Sequence, residues 1–169
     1  MVKAARTVLR GERNESDLPD YFLMAHRFKM HIDAVQEEWS TGVTTVFDRS
    51  IYGDRAFADV LYGYGHIDEL GFGSYMQHRE CMERQLLVPQ QVIYLDVSVD
   101  TAINRIQKRG RDCEKGITRD YLERLAEAYE KIISELEGKT NVQRYSWEDG
   151  SDVEDIKIEG LLEYEEIRC

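Results

Sequence analysis

The sequence is poor in the residues that build a disulfide framework or a zinc site. It contains 3 cysteines, and none of them stands in a CxxC or histidine-paired spacing: Cys81, Cys113 and Cys169. Its 4 histidines show no HExxH or other recognised metal spacing. Unpaired thiols without a metal pattern are typical of proteins in a reducing compartment. We therefore expect free cysteines, no metal-ligand residues and a cytoplasmic protein.

Two further absences concern the partners of the chain. No apolar run approaches the roughly 20 residues that a membrane span needs, and we expect no signal peptide. Lys and Arg number 22 against 33 Asp and Glu, which gives a formal net charge of −11. A generic nucleic-acid binder needs surplus positive charge to neutralise phosphates. The sequence therefore predicts no membrane and no nucleic-acid partner, and any bound phosphate must meet a local basic cluster.

Strand and helix patterns alternate along the 169 residues, a length typical of one domain with a sizeable core. Apolar or β-branched runs predict three strands, at 43–47, 91–98 and 141–146. Helical patterns lie around them, at 21–39, 51–64, 68–86, 98–109, 117–133 and beyond 151. The first helix is expected to be largely buried through apolar residues such as Phe22 and Met30. This alternation predicts an α/β fold with a parallel sheet and flanking helices.

Residues that can cap helices support several of these boundaries. Asp68 and Ser98 stand where the third and fourth predicted helices begin, and both residue types are preferred N-caps. Ser151 followed by Glu154 forms a capping box for the last, acidic helix. We therefore expect helices that begin directly after these residues.

Two opposite charges follow the first predicted strand. The stretch "VTTVFDRSIYGD" (43–54) places Asp48 and Arg49 directly after the apolar run. Ligands of open parallel sheets bind beyond the carboxyl ends of the strands, so these residues and Asp96 would share one edge. A pair that only caps the following helix is the alternative. On these residues alone both interpretations stay open.

A second charged cluster lies in "RIQKRGRDCEKG" (105–116). Its basic residues are Arg105, Lys108, Arg109 and Arg111. Cations in a last helical turn compensate the helix dipole, which is one explanation. Guanidinium groups are also the usual clamps for a transferring phosphoryl group. The excess of charge favours a phosphate clamp, and Gly110 and Gly116 bracket it as the hinges of a flap would.

Several stretches resemble the deoxynucleoside kinases, above all the deoxyadenosine and deoxyguanosine kinase branch. They are "DRSIYGDRAFA" (48–58), "VIYLDVSVDTAINRIQKRGRDCEKGI" (92–117), "DYLERLAEAYEKI" (120–132) and the upstream "YFLMAHRFKMHIDA" (21–34). The "VIYLDVS…RIQKRGR" part is shared with thymidylate kinases, and "EKGITRDYLERL" favours the nucleoside branch. The resemblance implies a P-loop kinase-like α/β domain over 20–169, after a polar segment at 1–19.

The resemblance implies a role for two pairs of residues. Asp48 and Arg49 match the acid–Arg pair that lies beside the nucleoside 5′-hydroxyl and the transferred phosphate. Arg27 and Asp54 match the pair that reads the polar edge of the base. Such a pair suits a base, because the arginine donates, the ionised carboxylate accepts, and each keeps the other charged.

The resemblance also implies a lid, an ATP site and a dimer. The lid arginines that approach the phosphates match Arg105, Arg109 and Arg111. Glu114 matches the lid acid that contacts the sugar 3′-hydroxyl. The loop where the family holds the adenine of ATP matches Trp147, Glu148 and Asp149, and Mg²⁺ would bridge the ATP phosphates. A homodimer would form through helices within 51–86.

One part of the family pattern has no match in this sequence. The phosphate-binding motif GxxxxGK[ST] does not occur, and the acid that follows the family's second strand has no counterpart. The resemblance starts after the first two strands of the family fold, and one of these is the central strand. Without it, the strands at 43–47 and 91–95 would expose unpaired edges. We expect a longer or split polypeptide, another chain that supplies the strands, or a non-catalytic relative.

Three functions therefore stand as hypotheses. The first is ATP-dependent phosphorylation of a deoxynucleoside, preferably a purine one, at its 5′-hydroxyl. The second is a non-catalytic, kinase-like accessory protein that binds a nucleotide or a partner. The third is a thymidylate-like nucleoside monophosphate kinase.

Overall fold

The structure is a computed structural model that describes residues 17–148, with side chains from residue 21 onward. The predicted polar segment 1–19 lies outside this range except at its end, and so does the predicted helix beyond 151. Asp149 and Cys169 are outside it as well. The division of the chain at residues 19 and 20 stays a prediction.

Helices dominate the described part of the chain. In chain order the elements are α1 (Asp17–Thr41), α2 (Ile51–Gly63), α3 (Glu69–Glu83), β1 (Gln91–Asp96), α4 (Val99–Arg109), a 3-10 turn (Asp112–Glu114), α5 (Arg119–Glu137) and β2 (Asn141–Ser146). The predicted helices within this range are confirmed, although α3 ends at Glu83 rather than near Leu86.

Side chains cap the start of each helix from α2 to α5. The N-caps accept a hydrogen bond from a backbone N–H two or three residues ahead, as Ser50, Asp68, Ser98 and Thr118 all do. The predicted caps at Asp68 and Ser98 are therefore confirmed. Gly110 ends α4 in the left-handed region, with φ at 62°, where glycine carries no Cβ penalty.

The two strands pair in parallel, which confirms the predicted sheet type. The register runs from Gln91 opposite Asn141 to Asp96 opposite Ser146. The prediction of a strand at 43–47 is wrong for the part of the chain that the structure describes, because no strand is assigned there. A strand needs a neighbour for its N–H and C=O groups, and none of residues 17–148 pairs with this run. Val43 and Val46 are accordingly 58% and 76% exposed.

The main core lies between α2 and α5, with α1 and α3 against it. Its buried residues include Met24 of α1, Ile51, Tyr52, Ala56, Ala58 and Val60 of α2, Tyr75 of α3, and Ala128, Ile132 and Leu136 of α5. Val92 of β1 and Val142 of β2 pack against this cluster, so the sheet lies beside it. Because Ile51 is almost completely buried, the start of α2 is fixed in place. The core thereby anchors the start of α2, which follows Asp48, Arg49 and the N-cap Ser50.

The prediction that the first helix is largely buried is wrong. Helix α1 is not largely buried, since Phe22 is 73% exposed and Met30 is also exposed, while Met24, His31 and Ala34 face inward. Strand β1 is only half-buried, and its last two residues are exposed. In both cases the described residues cover one side of the element only, so apolar side chains on the other side stay in contact with solvent.

Two smaller predictions concern thiols and membranes. Cys81 and Cys113 are free, as the spacing of the cysteines predicted. Among the helices of residues 17–148, none combines the length and the apolar character needed to cross a bilayer.

Candidate active site

Asp48 and Arg49 form a tight turn between the unpaired run 43–47 and helix α2. Arg49 has a φ of 62°, in the left-handed region that residues other than glycine rarely adopt. Such a conformation costs about 1–3 kcal/mol and persists where the surroundings impose it, which is frequent at functional sites. The chain then enters α2 at once, because the Ser50 hydroxyl accepts from the Tyr52 backbone N–H at 3.3 Å.

Arg27 of α1 holds this turn through its backbone. Its Nη1 atom donates to the carbonyl oxygens of Asp48 and Arg49, at 2.9 and 3.2 Å. The same guanidinium faces Asp54, with 3.7 Å between Nε and Oδ2. That distance makes an ion pair but is too long for a hydrogen bond. The structure therefore brings together the four residues that the sequence placed at the base and the 5′-hydroxyl.

The Arg27–Asp54 pair is buried but incompletely satisfied. The two side chains are 12% and 16% exposed. Arg27 Nε and Asp54 Oδ2 are buried, and neither has a hydrogen-bond partner among the described residues. A buried polar atom without a partner costs about 1–3 kcal/mol. A ligand with adjacent acceptor and donor atoms would satisfy both atoms, as the edge of a nucleobase does.

Burial changes the expected electrostatics of this pair. Burial raises the pKa of Asp54 above its usual value, while Arg27 and Arg49 pull that pKa down. Arg27 thus favours the charged form of Asp54, as the resemblance implied, but burial has the larger effect on the pKa of Asp54. The reason is that removing the carboxylate from water disfavours its charged form more than the two cations favour it.

Two aromatic residues complete this part of the site. The Arg49 guanidinium carbon lies 5.1 Å from the ring centroid of Phe57, in a cation–π contact. Tyr129 of α5 packs edge-on against Phe57, with 6.2 Å between ring centroids. A Cβ atom at Gly53 would lie 3.5 Å from the Tyr129 hydroxyl, so α2 and α5 approach closely here. Burial raises the pKa of the Tyr129 hydroxyl, which stays neutral at ordinary pH.

The sequence analysis missed both of these aromatic residues as parts of the site. Phe57 stood within a quoted motif without a role, and Tyr129 was one member of an amphipathic pattern. No local pattern reveals contacts between α2 and α5, which are far apart in the chain. The only available signal was the i, i+4 spacing of large side chains on α5, which indicates packing and nothing more.

The lid residues form a second charged group, at the end of α4. Arg109 donates to Glu114, with both Nε and Nη2 at 2.9 Å from Oε2. Arg111 lies 3.5 Å from the other carboxylate oxygen. The Glu114 side chain is only 15% exposed, whereas the two arginines are exposed. Glu114 thus pairs with two of the predicted phosphate-binding arginines and leaves part of each guanidinium exposed to solvent.

Arg105 contacts a different part of the chain. Its Nη2 atom donates to the backbone carbonyl of Trp147 and, at 3.3 Å, to that of Glu148. The Trp147 N–H in turn donates to the carbonyl of Asp96 at 2.7 Å. Arg105 therefore fastens the loop after β2 to α4, whereas Arg109 and Arg111 pair with Glu114.

Glu148 acts as a second cap on α4. Its carboxylate accepts from the Ser98 N–H at 2.5 Å, from the Ser98 hydroxyl at 3.1 Å, and from the Thr101 hydroxyl. These hydrogen bonds lower the pKa of Glu148. A carboxylate near a helix N-terminus is also favoured by the helix dipole. The predicted adenine-binding role of Trp147, Glu148 and Asp149 stays a prediction, and Glu148 would contribute to it mainly through its backbone.

No residue group within 17–148 has the composition of a metal centre, since no cluster of three or more His, Cys, Asp and Glu side chains could hold an ion. His31 of α1 is buried, and its ring stacks on Phe47 of the run 43–47 with 5.4 Å between centroids.

A parallel strand pair flanked by helices, with a charged turn before α2 and an arginine-rich group after α4, agrees with a P-loop kinase-like α/β architecture, which the solved structures reported below share. The deoxynucleoside kinase family model matches residues 17–163, and the chain belongs to this family. The resemblance on which the sequence analysis rested and the predicted fold class are both confirmed.

Individual relatives agree with this assignment. A deoxyadenosine kinase of Dictyostelium discoideum is 32% identical over 123 residues, which cover 73% of this chain and 50% of the relative. NADH dehydrogenase [ubiquinone] 1 alpha subcomplex subunit 10, mitochondrial, of Bos taurus is 34% identical over 136 residues, which cover 80% of this chain and 40% of the relative. The chain thus spans about half the length of the curated relatives that it matches.

Solved structures give the same fold. A structure of deoxyadenosine kinase from M. mycoides with the products dCMP and a flexible dCDP bound matches with a TM-score of 0.69 and 25% identity. The match covers 90% of this chain and 74% of that chain. A second structure of that enzyme, with bound dCTP, matches with a TM-score of 0.71 at 24% identity and supports the fold alone.

Proposed function

We propose that this chain carries the nucleoside-binding and lid parts of a kinase that phosphorylates the 5′-hydroxyl of a deoxynucleoside with ATP. The observation that carries the proposal is the buried, unsatisfied Arg27–Asp54 pair directly beside the Asp48–Arg49 turn. Family membership supports the reaction class. The names of the relatives, deoxyadenosine kinase and deoxyguanosine kinase, support a purine substrate.

Base recognition falls to Arg27 and Asp54 in this proposal. Arg27 Nε donates to an acceptor on the base edge, and Asp54 Oδ2 accepts from an exocyclic amine. Both atoms are buried and lack other partners among the described residues. A base that supplies both contacts therefore removes two desolvation penalties, and a base that supplies only one does not.

Phosphoryl transfer falls to the charged groups at the two ends of the site. Asp48 lies near the 5′-hydroxyl, and Arg49 presents its guanidinium to the transferred group. Arg109 and Arg111 add positive charge from the lid, where Glu114 orders them. Charge stabilisation and positioning supply most of the rate enhancement in such reactions. Mg²⁺ neutralises charge on the ATP phosphates and would come with the nucleotide.

Turnover further requires a phosphate-binding loop. The printed sequence contains no GxxxxGK[ST] motif. The unpaired run 43–47 with its exposed valines, and the half-buried β1, are what an added strand would cover. We therefore include in the proposal a strand and phosphate loop that are supplied either by a longer polypeptide or by a second chain.

The test is a transfer assay with labelled ATP and Mg²⁺ on residues 1–169. The substrates are the four deoxynucleosides and, in parallel, their 5′-monophosphates. We expect negligible transfer by residues 1–169 alone, and transfer to purine deoxynucleosides once the family's first strand, phosphate loop and second strand are added. Robust transfer by residues 1–169 alone would refute the need for the added segment. Transfer to monophosphates only would establish the thymidylate-like alternative.

A second candidate is a kinase-like accessory protein. The observation that favours it is the 34% identical bovine relative, which by its name is a subunit of NADH dehydrogenase. Calorimetric titration of deoxyadenosine separates the two candidates. Binding without any transfer, even with the added segment, would support the accessory role. The cytoplasmic location and the homodimer through 51–86 stay predictions, and sedimentation of the purified chain tests the dimer.

A further inference from the structure

Two side chains of helix α1 contact residues 47 to 49, which lead into helix α2. Arg27 and His31 are four residues apart on α1 and therefore lie on one face of it. Arg27 donates to the carbonyls of Asp48 and Arg49. His31 stacks on Phe47, with 5.4 Å between ring centroids and 23° between ring planes. Three consecutive residues, 47 to 49, are thus each contacted from the same helix face.

His31 also reaches a third segment of the chain. Its side chain is buried, and the backbone of Leu87, which lies between α3 and β1, raises the pKa of His31 against the lowering effect of burial. The imidazole on α1 therefore stacks on the run 43–47 and lies near the backbone of the segment before β1. A buried, closely packed side chain restricts the position of the ring on which it stacks.

The turn needs such support because no sheet provides it. Among residues 17–148, none pairs with the run 43–47, so no strand ladder fixes this run. Arg49 nevertheless holds a φ of 62°, a conformation that persists only where neighbouring groups impose it. Besides the contact of Arg49 with Phe57, those of Arg27 and His31 act directly on residues 47 to 49.

We propose that Arg27 and His31 are positioning residues of the Asp48–Arg49 turn, His31 by clamping Phe47 and Arg27 by holding the two carbonyls. The importance of this positioning for turnover rests on the proposed function. His31 touches no reacting atom and acts through Phe47. Arg27 has two tasks, because the guanidinium that faces Asp54 also holds the turn. Base recognition and the geometry of the phosphoryl-transfer turn therefore share one side chain.

The first test is amide hydrogen exchange on residues 1–169, which needs no activity. We compare His31→Ala with His26→Ala, the same change at an exposed histidine of the same helix. We expect at least tenfold faster exchange confined to residues 47–52 in His31→Ala, and no change there in His26→Ala. His31→Phe preserves a ring that can stack and should exchange slowly. Equal exchange at 47–52 in the two alanine variants, or uniform acceleration over the whole chain, would overturn the proposal.

Phe47→Leu covers the case in which His31→Ala does not fold. It keeps an apolar side chain and removes the stacked ring, so it should accelerate exchange at 48–52 without global unfolding. Unchanged exchange in this variant counts against the clamp as well.

The kinetic test uses the chain supplied with the family's phosphate-loop segment. His31→Ala should lower kcat at least tenfold with little change in the KM for deoxynucleoside, and His31→Phe should restore most of kcat. Arg27→Lys should lower kcat and relax base choice together, because a lysine cannot hold both carbonyls and face Asp54. A rise in KM alone for His31→Ala would overturn the positioning role. Inactivity of the unmutated protein would refute the proposed function. The hydrogen-exchange result would still show whether His31 positions Phe47.

Discussion

Arg27 Nε and Asp54 Oδ2 face each other across 3.7 Å, both buried and both without a hydrogen-bond partner in the described part of the chain. In most folded proteins such atoms are satisfied. Helix α1 supplies the arginine, the first turn of α2 supplies the acid, and Arg27 also bonds the turn before α2. The predictions below follow from this arrangement and from the lid.

Asp54→Asn should change base discrimination. The amide loses the negative charge and presents a donor as well as an acceptor, so preference between purine deoxynucleosides should shift by about tenfold, or 1.4 kcal/mol. The ratio of kcat/KM values for the deoxynucleosides measures it. Asp59→Asn is the control, because Asp59 lies on the same helix and pairs with Arg55 at 3.4 Å. An equal loss on every substrate would show that Asp54 is structural.

Asp54→Asn should also raise the Tm of the free chain slightly at pH 7. Burial raises the pKa of Asp54 in the folded state, so the folded state favours the neutral form more than the unfolded state does. Stability therefore falls as pH rises from about 3.8 through the folded pKa. Arg27 loses little in the variant, since its two carbonyl acceptors remain. Thermal melts at pH 3 and pH 7 test this, and a lower Tm at pH 7 would contradict it.

His31 should make the chain less stable in mild acid. Burial lowers the pKa of His31, and the Leu87 backbone only partly opposes this. The unfolded state then binds more protons below about pH 6.5, so stability is lost as pH falls through that value towards the lowered pKa. The drop in Tm between pH 7.5 and pH 5.5 should be smaller in His31→Phe than in the unmutated chain. An unchanged drop would place the pH dependence elsewhere.

Arg109→Ala should lower turnover and leave Tm nearly intact. A lost charge-assisted contact to phosphate costs about 1.5–3 kcal/mol, or roughly 10- to 150-fold in kcat. Lys108→Ala is the matched control, because both residues lie in the last turn of α4 and serve its dipole equally. Equal effects of the two changes on Tm, with no effect on turnover, would favour dipole compensation.

Arg49→Ala and Arg49→Gly should both lower kcat of the enzyme completed with a phosphate loop by a factor on the order of 10³ or more. They should differ in stability. Glycine accepts a φ of 62° freely and alanine does not, so the glycine variant should melt at the higher temperature. Retained turnover in either variant would remove Arg49 from the phosphoryl-transfer machinery.

Local sequence patterns predicted the features that depend on neighbouring residues. Asp68 and Ser98 cap the helices that follow them, because N-cap chemistry is complete within three or four residues. The parallel pairing of β1 and β2 followed from the alternation of strands and helices.

Long-range contacts were not predictable in the same way. The run 43–47 is β-branched, yet strand formation requires a partner that local composition does not contain. The Glu148 carboxylate reaches back to Ser98, and Arg27 reaches forward to the Asp48 and Arg49 carbonyls. Both contacts depend on the packing of elements that are distant in the chain. The resemblance predicted which residues form the site, and only the structure showed that Glu148 caps α4 and that Arg27 bonds the Asp48 and Arg49 carbonyls.

The double attachment of α4 sets a mechanical limit on the flap. Arg105 fastens the middle of α4 to the loop after β2, and Glu148 fastens the start of α4 to the same loop. We therefore expect α4 and the loop after β2 to move together. Any swing of Arg111 towards a ligand has to originate at Gly110, where the backbone is left-handed and α4 ends. Movement of the predicted flap is thereby limited to the few residues that follow Gly110.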